Sequence, residues 1–350
     1  LSDPIALAGR MDYPDRFTKS QESSMRFLMQ HWIAFCVALT ATAVGCGPQQ
    51  PAEFPHKQMT IICPWAPGGG TDRVARHWAE QLRKEFGQPC VVTNKQGGSG
   101  STGHSSGAFA RADGHTLTIV TFELCTMHTM KITDLTHEQF APILQMNADP
   151  AAIIVRKDAK WNSIKELLDD AKANPGKLKM SGTATKGAWD LARVGLQQTY
   201  GVPKDAIIWT PNQGAAPSLT ELLGGHIDAV CCSVPEAAPQ IENGDLRVLC
   251  VMGDERLESF PEYPTCKEEG IDWVVVGWRG LAAPKDTPPE TLAKLRATCE
   301  EVAKSEAYAQ FMKKNGFGVE IRVGDEFAQF LAEQDRQWSD VIKAAGYDVE

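Results

Sequence analysis

The groups best placed for chemistry in this chain are backbone amides and hydroxyls gathered in small-residue loops. The clearest case is residues 61–76, I-I-C-P-W-A-P-G-G-G-T-D-R-V-A-R. Its apolar lead, Met59 to Cys63, reads as a buried strand, which Pro64 through Gly70 cannot continue. Val74, Ala75, Trp78, Leu82 and Phe86 then recur at helical spacing, with Thr71 or Asp72 placed to cap the first turn and Gly87 to end the last. Strand, glycine loop and helix in that order present free N–H groups and a positive helix end, which is the chemistry of anion capture. More specialised uses fail: G-G-G-T-D-R lacks both the Lys-Ser/Thr pair of a nucleotide phosphate loop and the third glycine of a dinucleotide fingerprint.

Catalytic and metal patterns are missing from the sequence. The one G-x-S-x-G string, Gly103-His-Ser-Ser-Gly107, falls inside the small-residue run and not at the end of an apolar strand where a nucleophile elbow sits, and His56, His77, His104, His115, His128, His137 and His226 are scattered without ligand spacing, so most read as surface residues. Apart from Cys36 and Cys46, eight cysteines remain, none in a C-x-x-C pair, so neither a zinc site nor another cofactor is expected. Cys63 and Cys250 sit in apolar runs and read as small buried hydrophobes, while disulfide pairing stays open. The chain is read as a binding protein, not an enzyme.

The elements that must position these loops follow an α/β pattern. A second strand over 90–94 runs into K-Q-G-G-S-G-S-T-G, followed by a small-residue helix over 105–112 and a third strand over 116–121. In an open parallel sheet such loops share the edge where ligands bind. The middle of the chain repeats the scheme: strands over 151–155, 177–180, 206–210 and 227–231, and helices over 164–173, 188–200 and 218–223. Here too small-residue loops, 181–187 and 211–216, lead from strand to helix. Apolar segments at 273–276 and 280–283 and helices over 289–305, 307–315 and 325–345 return to the first unit. A chain that leaves near Pro150 and returns near Gly277 makes two connections, and two crossing strands make a hinge.

Bulk properties agree with two domains of ordinary size: 350 residues, 43% hydrophobic and 23% charged. The net charge of -9 argues against a nucleic-acid partner but leaves a small anion open, because amides supply local positive potential. Residues 1–24 have no apolar period and read as an upstream extension that is disordered. Residues 25–46 have the basic, apolar and small-residue order of a secretory signal, and their apolar core is too short for a comfortable membrane span. Ala43-Val44-Gly45-Cys46 matches a lipobox incompletely, which makes Cys46 the candidate lipidated residue and 47–56 a flexible tether.

Several strings together resemble the solute-binding proteins of tripartite tricarboxylate transporters, the Bug family. They are P-W-A-P-G-G-G-T-D-R-V-A-R, F-G-Q-P-C-V-V-T-N-K-Q-G-G-S-G-S-T-G, A-D-G-H-T-L-T-I, I-K-E-L-L-D-D-A-K-A-N-P-G-K-L-K, P-S-L-T-E-L-L-G-G-H-I-D-A-V, G-D-L-R-V-L-C-V-M, F-P-E-Y-P-T-C-K-E-E-G and G-W-R-G-L-A-A-P-K-D-T-P. The resemblance spans 57–347 in order.

It implies an α/β, two-lobed periplasmic binding protein of type II, a Venus flytrap with two crossing hinge strands. Lobe 1 would be 57–150 plus 277–350, and lobe 2 would be 151–276. The loops that match the family's ligand-contacting loops hold Pro67, Gly68, Gly69, Gly70, Thr71, Asp72, Gly98, Ser99, Ser181, Thr183, Thr185, Lys186, Gly214, Ala215, Ala216 and Ser233. Donors of these kinds suit carboxylate oxygens. Asp72 would repel an anion and reads mainly as a helix cap. Lys186 departs from the family's all-small loop: pointing inward it would pair a second carboxylate, and pointing outward it is a solvated lysine. Asp190 and the bulky Trp189 are further departures at the next helix start.

The implied role is capture of a small organic carboxylate for the integral-membrane permease subunits of a tripartite tricarboxylate transporter. The protein would act as a monomer in the periplasm of a Gram-negative-type bacterium, touching the membrane only through a lipid anchor. The alternative is a ligand-sensing or partner-binding lipoprotein of the same fold that feeds a signalling receptor.

Overall fold

The computed structural model describes residues 53–344 and 347. The extension, the signal, Cys46 and most of the tether lie outside the described residues. Phe54, expected in the tether, already packs edge-on against Phe86 and His115, with ring centroids 5.9 and 5.0 Å away.

The first layer is a parallel three-strand group, β1 (Met59–Cys63), β2 (Cys90–Asn94) and β3 (Thr116–Thr121), in the order β2-β1-β3. Two helices connect them: α1 (Gly70–Phe86) and α2 (Ser101–Ala108). Helix α1 buries Val74, Ala75, Trp78 and Leu82 against the sheet and ends at Gly87, which adopts φ 65° as a left-handed cap. Its start differs from expectation. Gly69 is the N-cap, so neither Thr71 nor Asp72 caps it. Helix α2 lies four residues earlier than expected, because a small-residue run has no apolar period to mark its ends and backbone packing sets them. A Cβ on Gly103 would stand 2.5 Å from Pro64 Cα and 2.7 Å from the Lys95 carbonyl.

Strand β4 (Phe140–Arg156) is the spine of the molecule. Its leading half pairs antiparallel with β9 (Val276–Pro284) and β10 (Arg322–Val323), and its trailing half pairs with β7 (Ala229–Ser233) and β8 (Leu246–Val251). Strand β9 also pairs with β3, and β7 continues in parallel to β5 (Leu178–Ser181) and β6 (Ile207–Trp209). The sheet therefore follows the single path β2-β1-β3-β9-β4-β7-β5-β6. The sequence marked only residues 151–155 of β4, because Pro142 and the polar Gln145, Asn147 and Asp149 interrupt the apolar run; the register shifts between Pro142 and Leu144 absorb the missing proline donor. Likewise the apolar segment at 280–283 and the last residue of the one at 273–276 fall within the single strand β9.

The second group of helices is α3 (Ile164–Ala173), α4 (Ala188–Tyr200), α5 (Ala215–Leu223) and α6 (Val234–Glu242). Helices α7 (Pro289–Lys304), α8 (Glu306–Asn315) and α9 (Asp325–Ala344) follow β9. One apolar core joins β1, β3 and α1 to α7 and α8 through Trp78, Leu117, Leu295 and Tyr308, and the other surrounds β7 and β8 with Leu167, Leu196, Val230 and Leu249. Strand β4 and the segment that returns to β9 run side by side between them. β4 passes Ala151, and the returning segment lies beside it, where Ala151 N–H donates to the Val275 carbonyl at 2.9 Å and Met252 N–H to the Ala151 carbonyl at 2.7 Å.

Cys63, Cys231, Cys232, Cys250 and Cys266 are buried, as small hydrophobes would be, with the Cys250 and Cys266 sulfurs in contact. The histidines correct the surface reading: His104 and His115 are buried, His77, His128 and His137 half-buried, and only His56 and His226 exposed. No helix among the described residues is long and apolar enough to cross a membrane.

Candidate functional site

Three helices begin at one cavity, each from a glycine: Gly69 before α1, Gly187 before α4 and Gly214 before α5, none with a side-chain cap. Their first-turn N–H groups are therefore left for the cavity or for partners reaching across it. Gly70 must be glycine for closeness, since a Cβ there would meet Arg279 Nη2 and Glu236 Cγ at 2.8 Å. Gly214, at φ 139°, holds a conformation that side-chain-bearing residues rarely adopt. The space between the walls is about 40 Å³, room for about three waters.

Charge in the cavity is organised by Arg279 on β9. Its Nε donates to Thr71 Oγ1 at 3.0 Å, Nη1 to Asp149 Oδ2 at 2.8 Å and Nη2 to Glu236 Oε1 at 3.4 Å. Asp149 sits on β4 beside the crossing and also accepts from Asn147 Nδ2 and Gly318 N–H. Burial pushes its carboxyl up, and the Arg279 charge and these hydrogen bonds offset that rise without cancelling it. Glu236, in the first turn of α6, accepts from the Ser233 N–H and hydroxyl.

Glu123 follows β3 on a short 3-10 turn and reaches across the cleft. Its Oε1 accepts the Ala188 N–H at the start of α4 at 3.0 Å, and its Oε2 accepts the Thr121 hydroxyl at 2.6 Å. Burial pushes this carboxyl up as well. Trp65, Phe122, Trp189 and Trp278 supply aromatic wall, and Trp65 Nε1 donates to Thr121 Oγ1. Two buried polar groups in wall residues, Thr183 Oγ1 and Trp278 Nε1, have no hydrogen-bond partner among the described residues.

Of the residues singled out from sequence, Gly69, Gly70, Thr71, Thr183, Gly214 and Ala215 line this cavity. The others have different partners. Asp72 is clasped by Arg76, Gly68 N–H and Asn94; burial works to raise its carboxyl, but those partners outweigh it and hold it low. Ser99 Oγ donates to the Thr185 carbonyl at 2.8 Å, and Lys186 Nζ to the Met130 carbonyl at 3.3 Å, so Lys186 is bound to backbone. Ser181 bonds Ser218 and the Thr210 carbonyl, Ser233 bonds Glu236, and Pro67, Gly68, Gly98 and Ala216 do not face the cavity. Asp190 pairs with Arg193 at 2.6 Å beneath the loop, whereas Trp189 is in the wall.

Sequence reasoning did not single out Arg279, Glu123, Glu236 or Thr121. Two signals were present: an arginine inside the apolar run G-W-R-G-L, and the S-x-x-E spacing of Ser233 and Glu236 that marks a helix start.

A two-lobed α/β fold whose connecting strands flank a cavity of helix starts defines a solute-binding protein. The chain belongs to the tripartite tricarboxylate transporter family receptors, whose family model matches residues 74–347. It is 28% identical to Protein BugT of Bordetella pertussis over 325 residues, 91% of this chain and 98% of that protein. Among solved structures it resembles MatC of Rhodopseudomonas palustris with bound malate (25% identity, TM-score 0.77, 83% of this chain and 100% of that one). It also resembles an R. palustris protein with adipate (26% identity, TM-score 0.79, 84% and 99%). These relatives are receptors, and this chain is a solute-binding receptor rather than an enzyme.

Proposed function

We propose that the protein captures a small organic carboxylate in the periplasm between two lobes, 57–150 with 277–350 and 151–276, and delivers it to the permease subunits of a tripartite tricarboxylate-type transporter. The observation that carries this reading is the convergence of the α1, α4 and α5 starts, with the unpartnered Thr183 hydroxyl, on one cavity beside the crossing strands. Malate in one relative and adipate in another fit the same class. Delivery requires only that the permease prefer the closed, loaded form over the open one, a shift of population by differential affinity. The receptor acts as a monomer, with Cys46 as the residue that would carry a lipid anchor.

The test is thermal unfolding of purified protein, freed of bound ligand by unfolding and refolding, against mono-, di- and tricarboxylates. At about 100 times its dissociation constant a ligand adds roughly 2.7 kcal/mol, a clear rise in midpoint. No rise with any carboxylate would overturn the reading.

A further inference from the structure

Two acids in the cavity wall set this site apart from one built for anions alone. Glu123 is 3% exposed and the Glu236 side chain 6%, and Arg279 is the one cation among the described wall residues. Arg279 is already shared between Asp149 and Glu236. Glu123 has no ion-pair partner among the described residues; its bonds are to the Thr121 hydroxyl and the Ala188 amide. A plain dicarboxylate would therefore bring further negative charge to a wall whose cation is already paired.

We propose that the ligand of this cleft carries an ammonium group beside its carboxylate, with Glu123 and Glu236 receiving the ammonium and Thr183 and the α1 and α5 amides receiving the carboxylate. The inference rests on the carboxylate reading above and narrows its substrate class to amino-carboxylates. Three further observations support it. The free Thr183 hydroxyl and the first-turn amides beyond Gly69 and Gly214 are donors without side-chain partners, as a carboxylate requires. Trp65, Phe122, Trp189 and Trp278 line the same cavity as the acids, and aromatic surface favours a cation. Burial pushes the Glu123 carboxyl up, and an ammonium placed beside it would act against that rise.

The experiment is isothermal titration of the refolded protein with matched pairs that differ by the ammonium alone: succinate and aspartate, glutarate and glutamate, butyrate and 4-aminobutyrate. In at least one pair the amino member should bind about tenfold tighter or more, the scale of one charge-assisted hydrogen bond. Glu123→Gln, and separately Glu236→Gln, should bring that ratio close to one while the plain acid binds as well as before or better. Plain acids that bind as tightly as their amino partners in every pair overturn the proposal and leave carboxylate capture standing. Failure of every compound overturns both. The decisive comparison is made on the unaltered protein, so it survives a variant that does not fold.

Discussion

Arg279 is the residue on which the centre of the molecule depends. Its side chain is 5% exposed, and its removal would leave Asp149 and Glu236 buried without a cation. Arg279→Met should therefore cost roughly 3–5 kcal/mol in denaturant unfolding, the range for breaking a buried pair from one side. Adding Asp149→Asn should restore some of the loss, since a neutral amide needs no counter-charge. A double variant no more stable than the single one would show that pairing is not the source. At this scale the sequence was half legible. Gly69, Gly70, Thr71, Thr183, Gly214 and Ala215 could be placed because small residues between strand and helix signal a loop of free amides. Glu123 and Arg279 could not, because each sits in an apolar stretch and acquires its meaning from partners on another element: Ala188 on α4 for one, Asp149 on β4 for the other.

Among the elements, α1, α3, α4, α7 and α8 were legible because each carries an apolar stripe with a clear start or stop. Strand β4 was not, since its polar Gln145, Asn147 and Asp149 are buried by neighbours far along the chain and interrupt any local period. Helix α9 shows how such a distant neighbour is held. Its Asp335 lies 3.3 Å from His128 Nε2 and 3.0 Å from His137 Nδ1, both in the segment that links β3 to β4. Burial alone would raise the Asp335 carboxyl, but hydrogen bonds and charge from the two histidines outweigh it and hold it well below the usual range. A depressed carboxylate stabilises the fold above its unfolded value, about 3.9, and loses that contribution as pH falls toward the folded one. Asp335→Asn should thus cost roughly 1–2 kcal/mol at pH 6, with the gap to the parent narrowing below about pH 4. Denaturant curves at pH 6, 4 and 3 would check it; a gap that widens on acidification would contradict the clasp.

At the scale of the whole molecule, the walls of the cavity stand close, leaving about 40 Å³ between them. Polar contacts bridge it at several points: Ala66 N–H to the Gln213 carbonyl at 2.9 Å, Arg73 Nη2 to the Pro235 carbonyl at 2.7 Å, Ser99 Oγ to the Thr185 carbonyl and Ala188 N–H to Glu123. These contacts tie residues 66, 73, 99 and 123 to residues 213, 235, 185 and 188 on the opposite wall of the cavity. A latch contact exists in the closed state and vanishes in the open one, so its loss shifts the population and lowers apparent affinity by the fraction no longer competent. Ser99 tests this because its hydroxyl is committed to the opposite loop and does not face the cavity. Ser99→Ala should weaken ligand binding by roughly 2–12-fold, the equivalent of one net hydrogen bond. It should also raise the radius of gyration of the ligand-free protein in solution scattering, while the ligand-saturated value matches that of the parent. Weaker binding with no change in the ligand-free radius would instead make Ser99 a direct ligand contact, and the latch would have to reside in the Glu123 and Arg73 bridges.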